Sequence, residues 1–228
     1  KRYCDVAPSM NTINWALTKK IIGLGAQFFI IMVCMLFIFQ VINIIIVRVC
    51  GPENVTAYNI AYKYFNILNM AMMIIVTPFW SACADAYTKK DFLWMKNVIE
   101  KMEMIWKLSI CVLIIMILVS STFYDIWVGD SVKISLSLSV MVGVYILVQN
   151  LCGIYIYMIN GTSKIRLQLV VYLVSAFISV PTMYFLCSKY GITVMLLVPI
   201  SVCLIQAFVA KKQLTKIIRG TASGIWIK

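Results

Sequence analysis

The sequence predicts an all-helical integral membrane protein with six transmembrane helices. Hydrophobic residues make up 63% of the chain and charged residues 12%, and the mean hydropathy is +0.96. A soluble domain needs more polar surface, because its apolar share is about 45–50%. Six apolar runs reach the roughly 20 residues that a helix needs to cross the hydrocarbon core. Since backbone groups in lipid must bond to each other, and the runs are too long and uniformly apolar for barrel strands, they are predicted helices.

The six predicted spans are joined by short connections within a single lobe, residues 1–228. They cover about residues 21–47, 56–80, 106–128, 134–159, 167–187 and 192–210. Gly51 stops the first helix, while Pro52 and Glu53 suit the first turn of the second, so we expect a tight hairpin there. Between the fourth and fifth spans, Asn160 to Ser163 predict a turn followed by a helix cap.

The segment from about residue 88 to 105 has a different pattern. Thr88 and Asp91 fit a capping box at its start. Its apolar residues, which recur at helical spacing opposite charged ones, are Phe92, Met95, Val98, Ile99, Met102 and Ile105. We predict an amphipathic helix that lies on the cytoplasmic membrane surface before the third span.

Basic residues are distributed unevenly between the two sides of the membrane. One side carries Lys1, Arg2, Lys19, Lys20, Lys89, Lys90, Lys96, Lys101, Lys107, Lys164, Arg166, Lys211, Lys212, Lys216, Arg219 and Lys228, and the other carries Arg48, Lys133 and Lys189. Because lysine and arginine accumulate in cytoplasmic loops, both termini are predicted to be cytoplasmic. The net charge of +12 is explained by these clusters between apolar runs. No nucleic-acid partner is therefore expected.

The residue types needed for catalysis or metal binding do not come together in this sequence. The chain has no histidine, and its eight cysteines are scattered without a C-x-x-C pair. Buried thiols acting as small hydrophobic side chains explain them better than a metal site. The acids lie in loops or at the ends of predicted spans, and no glycine-rich phosphate loop appears. We expect no enzyme, no catalytic residue, no metal and no cofactor.

The second span carries a polar face. At 100° per residue, one side of this helix holds Val55, Thr56, Asn59, Tyr62, Lys63, Asn66 and Asn69. A lysine deep in a bilayer costs about 2.5–3.5 kcal/mol on insertion scales, and snorkelling relieves only part of that cost. The face should therefore border a wet cavity or partner helices.

Two interpretations of this face remain open at the level of sequence. In the first, Lys63 and its neighbours line a substrate cavity. In the second, the asparagines bond neighbouring helices while Lys63 reaches outward. Gln40 and Asn43 of the first span could extend the same surface or likewise bond helices. Pro78, Pro181 and Pro199 lie in or near the ends of apolar spans and are hinge candidates.

Four stretches of this sequence resemble a known family. They are "GPENVTAYNIAYKYF" (51–65), "TPFWSACADAYTKKDFLWMK" (77–96), "YDIWVGDSVKI" (124–134) and "INGTSKIRLQLVVYLVSAF" (159–177). Together with the long first span, they closely resemble the C-terminal half of bacterial Wzx-type flippases for O-antigen and capsule. These flippases belong, with the MATE exporters, to the multidrug/oligosaccharidyl-lipid/polysaccharide (MOP) superfamily.

This resemblance implies a MATE-like lobe that matches the seventh to twelfth spans of a two-lobed transporter. Since the chain begins with lysine, we expect an excised or truncated half whose partner is an N-terminal six-helix lobe. The implied substrate is an undecaprenyl-pyrophosphate-linked oligosaccharide repeat unit. It would be moved by alternating access across the bacterial inner membrane. The residues expected to line the substrate cavity are Lys63, Asn59, Asn66, Tyr62, Asn69, Arg48, Gln40 and Asn43.

Two other functions are considered. A multidrug or other lipid exporter of the same superfamily would favour an apolar cavity with an acidic cation site, and the lysine-asparagine face argues mildly against it. A membrane-embedded polysaccharide polymerase or transferase would need catalytic side chains gathered in a loop or mouth, which this sequence does not show.

Overall fold

The structure, a computed structural model, describes residues 15–129 and 132–227. Lys1, Arg2 and Lys228, which contribute to the predicted orientation, lie outside the described residues. The helices are α1 (Trp15–Cys50), α2 (Pro52–Val76), α3 (Pro78–Thr88), α4 (Phe92–Val128), α5 (Leu136–Thr162), α6 (Arg166–Tyr190), α7 (Ile192–Met195) and α8 (Leu197–Ile218). A short 3-10 turn, Gly224–Trp226, follows α8.

Six units of this structure are long and apolar enough to cross a membrane, which confirms the predicted fold class. They are α1, α2 with α3, α4, α5, α6, and α7 with α8. Gly51 alone separates α1 from α2, and its φ of 89° places it in a region that favours glycine. Pro52 then begins α2, where a missing N–H costs no helical hydrogen bond. The predicted tight hairpin is confirmed.

Two of the three hinge-candidate prolines lie beside helix breaks. Thr77 separates α2 from α3, and Pro78 is the first residue of α3. Pro199 lies in the first turn of α8, just after the break at Leu196. Pro181 instead lies inside the continuous helix α6. Thr77 itself keeps helical backbone angles, so α2 and α3 form one span that extends to Thr88, beyond its predicted end at about residue 80.

The predicted surface helix over 88–105 is wrong as a separate element. Residues 92–105 form the first turns of α4, which continues without a break to Val128. Asp91 caps this helix alone, because its Oδ1 accepts a hydrogen bond from Trp94 N at 3.0 Å. Thr88 belongs to the end of α3 and donates to Ala84 O, so the predicted capping box does not form. The uninterrupted apolar face of residues 92–105 allows the helix to run directly into the span.

The turn predicted at residues 160–163 begins later than expected. Asn160, Gly161 and Thr162 are the last residues of α5, and Ser163 caps the helix with a φ of 59°. Gly161 is helical because α3 passes close to it. A Cβ at Gly161 would lie 2.9 Å from both Cys83 Cβ and Trp80 O. The glycine therefore permits close packing of α3 on α5.

Helix α5 forms the centre of the lobe and contacts α2, α3, α4 and α8. Its fully buried large side chains include Tyr145, Ile146, Ile154, Met158 and Ile159. Helix α6 packs along α1 on one side and α8 on another. Large apolar side chains are exposed on the outer faces of α4 and α6, such as Leu118 at 77% and Phe177 at 80%. Such faces suit contact with lipid tails.

Candidate functional site

Helix α2 packs with one face and exposes the other. The packed face buries Ala57, Tyr58, Ala61, Tyr64, Phe65, Leu68 and Met72. Tyr64 fixes this orientation, since its hydroxyl donates to Met116 O of α4 at 3.0 Å. Beside this packed face, Lys63 is exposed, and Tyr62 and the predicted asparagines are half-buried. They form what we call the α2 polar face: Asn59, Tyr62, Lys63, Asn66 and Asn69.

Lys63 is the exposed member of the α2 polar face. It lies about 16 Å along the helix axis from Pro52, roughly half the thickness of a hydrocarbon core. None of the ion pairs in the part of the chain that the structure describes involves Lys63. Placed at that depth against lipid, its ammonium group would cost about 2.5–3.5 kcal/mol. The position calls for water or polar groups beside it.

The asparagines of the α2 polar face are half-buried, and their described hydrogen bonds remain within the helix. Asn69 Nδ2 donates to Asn66 Oδ1 at 3.1 Å, one turn away. No hydrogen bond among residues 15–129 and 132–227 joins Asn59, Asn66 or Asn69 to another helix. Within this lobe, the asparagines therefore do not connect helices, and Asn59 in particular keeps its amide available.

A cluster of aromatic rings supports the base of the polar face. The Tyr62 ring lies 5.9 Å from that of Tyr58 and 6.3 Å from that of Tyr145 on α5. The ring of Phe39 on α1 also lies 6.3 Å from the Tyr145 ring. Tyr145 is thus the buried side chain that α1 and α2 share. This arrangement holds Tyr62 in place while leaving it half exposed.

The predicted contributions from α1 differ from one another, and no described hydrogen bond or ion pair joins them to α2. Gln40 follows Phe39 directly and is exposed, and Asn43 is half-buried one turn further on. The Oδ1 atom of Asn43 is buried without a hydrogen-bond partner in the described residues. Arg48, in the last turn of α1, is exposed. These three residues lie along the half of α1 that leads into α2.

A second polar cluster, which sequence reasoning missed, joins α4, α5 and α8. Glu103 Oε1 accepts from Tyr155 Oη at 2.7 Å and lies 3.0 Å from Lys211 Nζ. A cavity of about 390 Å³ lies beside these groups and is also lined by Lys96 and Arg219. Glu103 is far from Lys211 in sequence, and its position on a charged helix face gave no signal of this pairing. Only the packing of three helices brings the groups together.

Comparison with known protein families gives one match. Residues 28–185, which include α2 to α5 and most of α1 and α6, match the MatE family. The chain belongs to the MatE family. MatE proteins are transporters of the MOP exporter superfamily rather than enzymes. Searches of curated proteins and of solved structures found no match to this MatE chain.

Because MatE proteins are transporters, the α2 polar face can be compared with what a transport route requires. This MatE chain is a multi-pass membrane protein, and its match includes the whole of the second span with Lys63. A transporter needs a polar route through a membrane that otherwise excludes charge. Among the described spans, α2 has an exposed lysine beside half-buried amides, although it also exposes Ile67 and Ile74, whereas α4 and α6 expose mainly large apolar side chains.

Proposed function

We propose that this chain is one half of a flippase for undecaprenyl-pyrophosphate-linked oligosaccharide repeat units. The flippase moves them from the cytoplasmic to the periplasmic leaflet of the bacterial inner membrane. The observation that carries the proposal is the exposed Lys63 on the α2 polar face, with the opposite face of the helix packed into the lobe. Resemblance to Wzx-type flippases supplies the substrate class.

The chemistry of the α2 polar face matches such a substrate. The Lys63 ammonium group balances the charge of pyrophosphate or of anionic sugars. The amides of Asn59, Asn66 and Asn69 donate to and accept from sugar hydroxyls, and the Tyr62 hydroxyl adds a further donor. A strip of amides with one cation suits an oligosaccharide better than an apolar drug, whose site would be lined by hydrophobic side chains.

A second lobe completes the cavity in this proposal. A lobe with an even number of spans has both termini on the same side of the membrane, so a tandem second lobe is a parallel repeat related by an axis along the membrane normal. An N-terminal six-helix lobe facing α2 would enclose Lys63 in a central cavity, with Arg48, Gln40 and Asn43 toward its α1 edge. The two lobes would then rock against each other. The breaks at Pro78 and Pro199 and the proline in α6 are the places where α2–α3, α7–α8 and α6 would bend.

The test is replacement of Lys63 in the intact transporter. Lys63→Ala should abolish surface polysaccharide while the amount of protein in the membrane stays unchanged. Lys101→Ala is the matched control, because Lys101 is an exposed lysine of α4 away from the α2 polar face. Normal polysaccharide export by the Lys63→Ala variant would remove the proposal.

The same strains separate this function from multidrug or other lipid export. If Lys63→Ala lowered resistance to cationic drugs and left surface polysaccharide intact, the chain would be a drug exporter and the flippase proposal would fail. If the chain were a polymerase or transferase, Lys63→Ala would instead leave repeat units that cross the membrane but are not joined into polysaccharide. Labelling of repeat units at the outer leaflet distinguishes this outcome from a block in transport.

A further inference from the structure

The groove between α1 and α6 begins at a strongly basic cavity. This cavity, of about 650 Å³, is lined by Lys19 and Lys20 of α1 together with Lys164 and Arg166 at the start of α6. No carboxylate is among the described residues that line it, and none of the described ion pairs uses these four cations. Since α6 begins here, its helix dipole adds to the positive potential. The cavity favours an anion.

The groove continues away from this basic cavity and becomes apolar. A second cavity of about 540 Å³ shares Gln27 and Arg166 with the first and adds Leu169 and Val170 of α6 and, from the turn after α8, Gly224 and Ile225. A third, of about 360 Å³, lies deeper along the same pair of helices, and its lining, which includes Phe37 and Ala176, is entirely apolar. A binding site with positive charge at one end and an apolar lining along the rest suits an anionic lipid better than a soluble ion.

The length of the groove fits one leaflet. From Arg166 to Val180 the groove follows α6 for about 21 Å. One leaflet contributes about 15 Å of hydrocarbon, with the headgroup above it. A free phosphate would leave the apolar part empty, and a neutral lipid would leave the four cations unmatched. Basic pockets between transmembrane helices are also the usual sites for anionic headgroups.

We propose that the α1–α6 groove binds an anionic glycerophospholipid of the surrounding leaflet. Its phosphate lies among Lys19, Lys20, Lys164 and Arg166, and one acyl chain follows the apolar part between α1 and α6. The bound lipid lies along the outer surface where α1 and α6 pack against each other, and covers the start of α6. None of the described residues that line these cavities belongs to α2, so this proposal does not depend on which substrate the transporter moves.

The test is lipid titration of the purified protein in a neutral detergent, with bound lipid counted by native mass spectrometry. Phosphatidylglycerol should bind at least about tenfold more tightly than phosphatidylcholine with the same acyl chains. The double variant Lys164→Gln, Arg166→Gln should bind phosphatidylglycerol at least about tenfold more weakly than the unaltered protein. The control, Lys90→Gln with Lys101→Gln, removes two exposed cations elsewhere and should bind phosphatidylglycerol like the unaltered protein.

A second arm tests the apolar part of the groove. Ala176→Phe fills the deep cavity and should weaken phosphatidylglycerol binding while thermal melting stays unchanged; Val33→Phe is the alternative if the first variant does not fold. Equal binding of both lipids, or equal loss in the control pair, overturns the proposal. So does displacement of phosphatidylglycerol by millimolar inorganic phosphate. Displacement by a polyprenyl phosphate at lower concentration than phosphatidylglycerol would overturn it as well, because the groove would then belong to the substrate.

Discussion

Lys211 Nζ lies 3.0 Å from Glu103 Oε1, and this ion pair joins α8 to α4. Tyr155 of α5 donates to the same carboxylate oxygen at 2.7 Å, and the Lys211 ammonium lies 5.5 Å from the Tyr155 ring. The Glu103 side chain is only 22% exposed. One acid therefore holds three helices together beside a cavity, so the network should contribute to stability.

We expect Glu103→Gln to lower the free energy of unfolding by about 1–2 kcal/mol. The substitution keeps the shape of the side chain but removes the carboxylate charge, so the hydrogen bond from Tyr155 becomes neutral and the ion pair with Lys211 is lost. The loss is moderate because Lys211 is half exposed and can be hydrated. Denaturant unfolding in detergent measures it.

Lys96→Gln is the control for this prediction. It removes an ion pair in which Lys96 Nζ lies 3.8 Å from Glu100 Oε1 and the two side chains are 60% and 62% exposed. Such a surface pair contributes about 0–1 kcal/mol. Equal effects of the two substitutions would contradict the structural role assigned to Glu103.

Gly161→Ala should destabilise the lobe by about 1–3 kcal/mol. The new methyl group would lie 2.9 Å from Trp80 O and 3.1 Å from Ala84 N, which are backbone atoms of α3. A backbone clash forces the two helices apart, and overpacking has costs of this size. Thermal unfolding of the purified protein checks the change.

The matched substitution is Gly153→Ala in the same helix. A Cβ at Gly153 has no atom within 4 Å to meet. Alanine there should leave stability unchanged or raise it by up to about 1 kcal/mol, because alanine favours helix more than glycine does. If Gly161→Ala were as well tolerated as Gly153→Ala, the close packing of α3 on α5 would be wrong.

Mild oxidation should link Cys50 to Cys187. Their sulfur atoms lie 3.6 Å apart where α1 and α6 end, and Cys50 is the more exposed of the two. An added disulfide oxidant would react first at Cys50, and the resulting mixed disulfide would then be resolved by Cys187. Mass spectrometry of the digested protein should show a peptide joined through these residues that is separated by a reductant.

Two variants make this result specific. Cys50→Ser and Cys187→Ser should each abolish the linked peptide, whereas replacement of the exposed Cys111 should leave it intact. Failure to form the link in membranes, under conditions that oxidise an exposed control pair of cysteines, would show that α1 and α6 do not end side by side.

Cysteine labelling tests the surroundings of the α2 polar face. In an intact transporter lacking its native cysteines, Lys63→Cys should react with a charged, membrane-impermeant maleimide, because a thiol in water ionises and reacts. Leu118→Cys should not react, since Leu118 is 77% exposed on the outer face of α4 among apolar side chains. Equal labelling of the two positions would place the polar face in the same environment as the apolar one.

The sequence was informative wherever a long regular pattern carried the signal. The apolar runs predicted the six spans because each is long enough to cross a membrane. The glycine and proline at residues 51 and 52 predicted the hairpin, since their backbone preferences are local. Helical periodicity also placed Lys63 and its asparagines on one side of α2, because it relates residues within one helix. It did not predict that Ile67 and Ile74 are exposed beside Lys63. That this side lines a substrate cavity stays a prediction.

Local signals were misleading where another helix changed their meaning. Residues 92–105 have the pattern of a surface helix, yet they continue into α4, and amphipathicity alone cannot distinguish these cases. Residues 160–163 have the composition of a turn, but Gly161 lies inside α5. Glycine is needed there because α3 passes close beside it. The contacts of a residue with a distant segment decided both outcomes.

By itself, the sequence determined that this chain crosses a membrane six times and that α2 carries a cation and amides on one side. Both properties follow from the composition and period of single helices, which neighbours do not alter. The tertiary structure alone decided that Tyr145 is shared by α1 and α2, that Glu103 meets Lys211, and that four cations surround one end of the α1–α6 groove. Each of these depends on how separate helices pack, because residues far apart in the chain meet only when packing selects the facing sides.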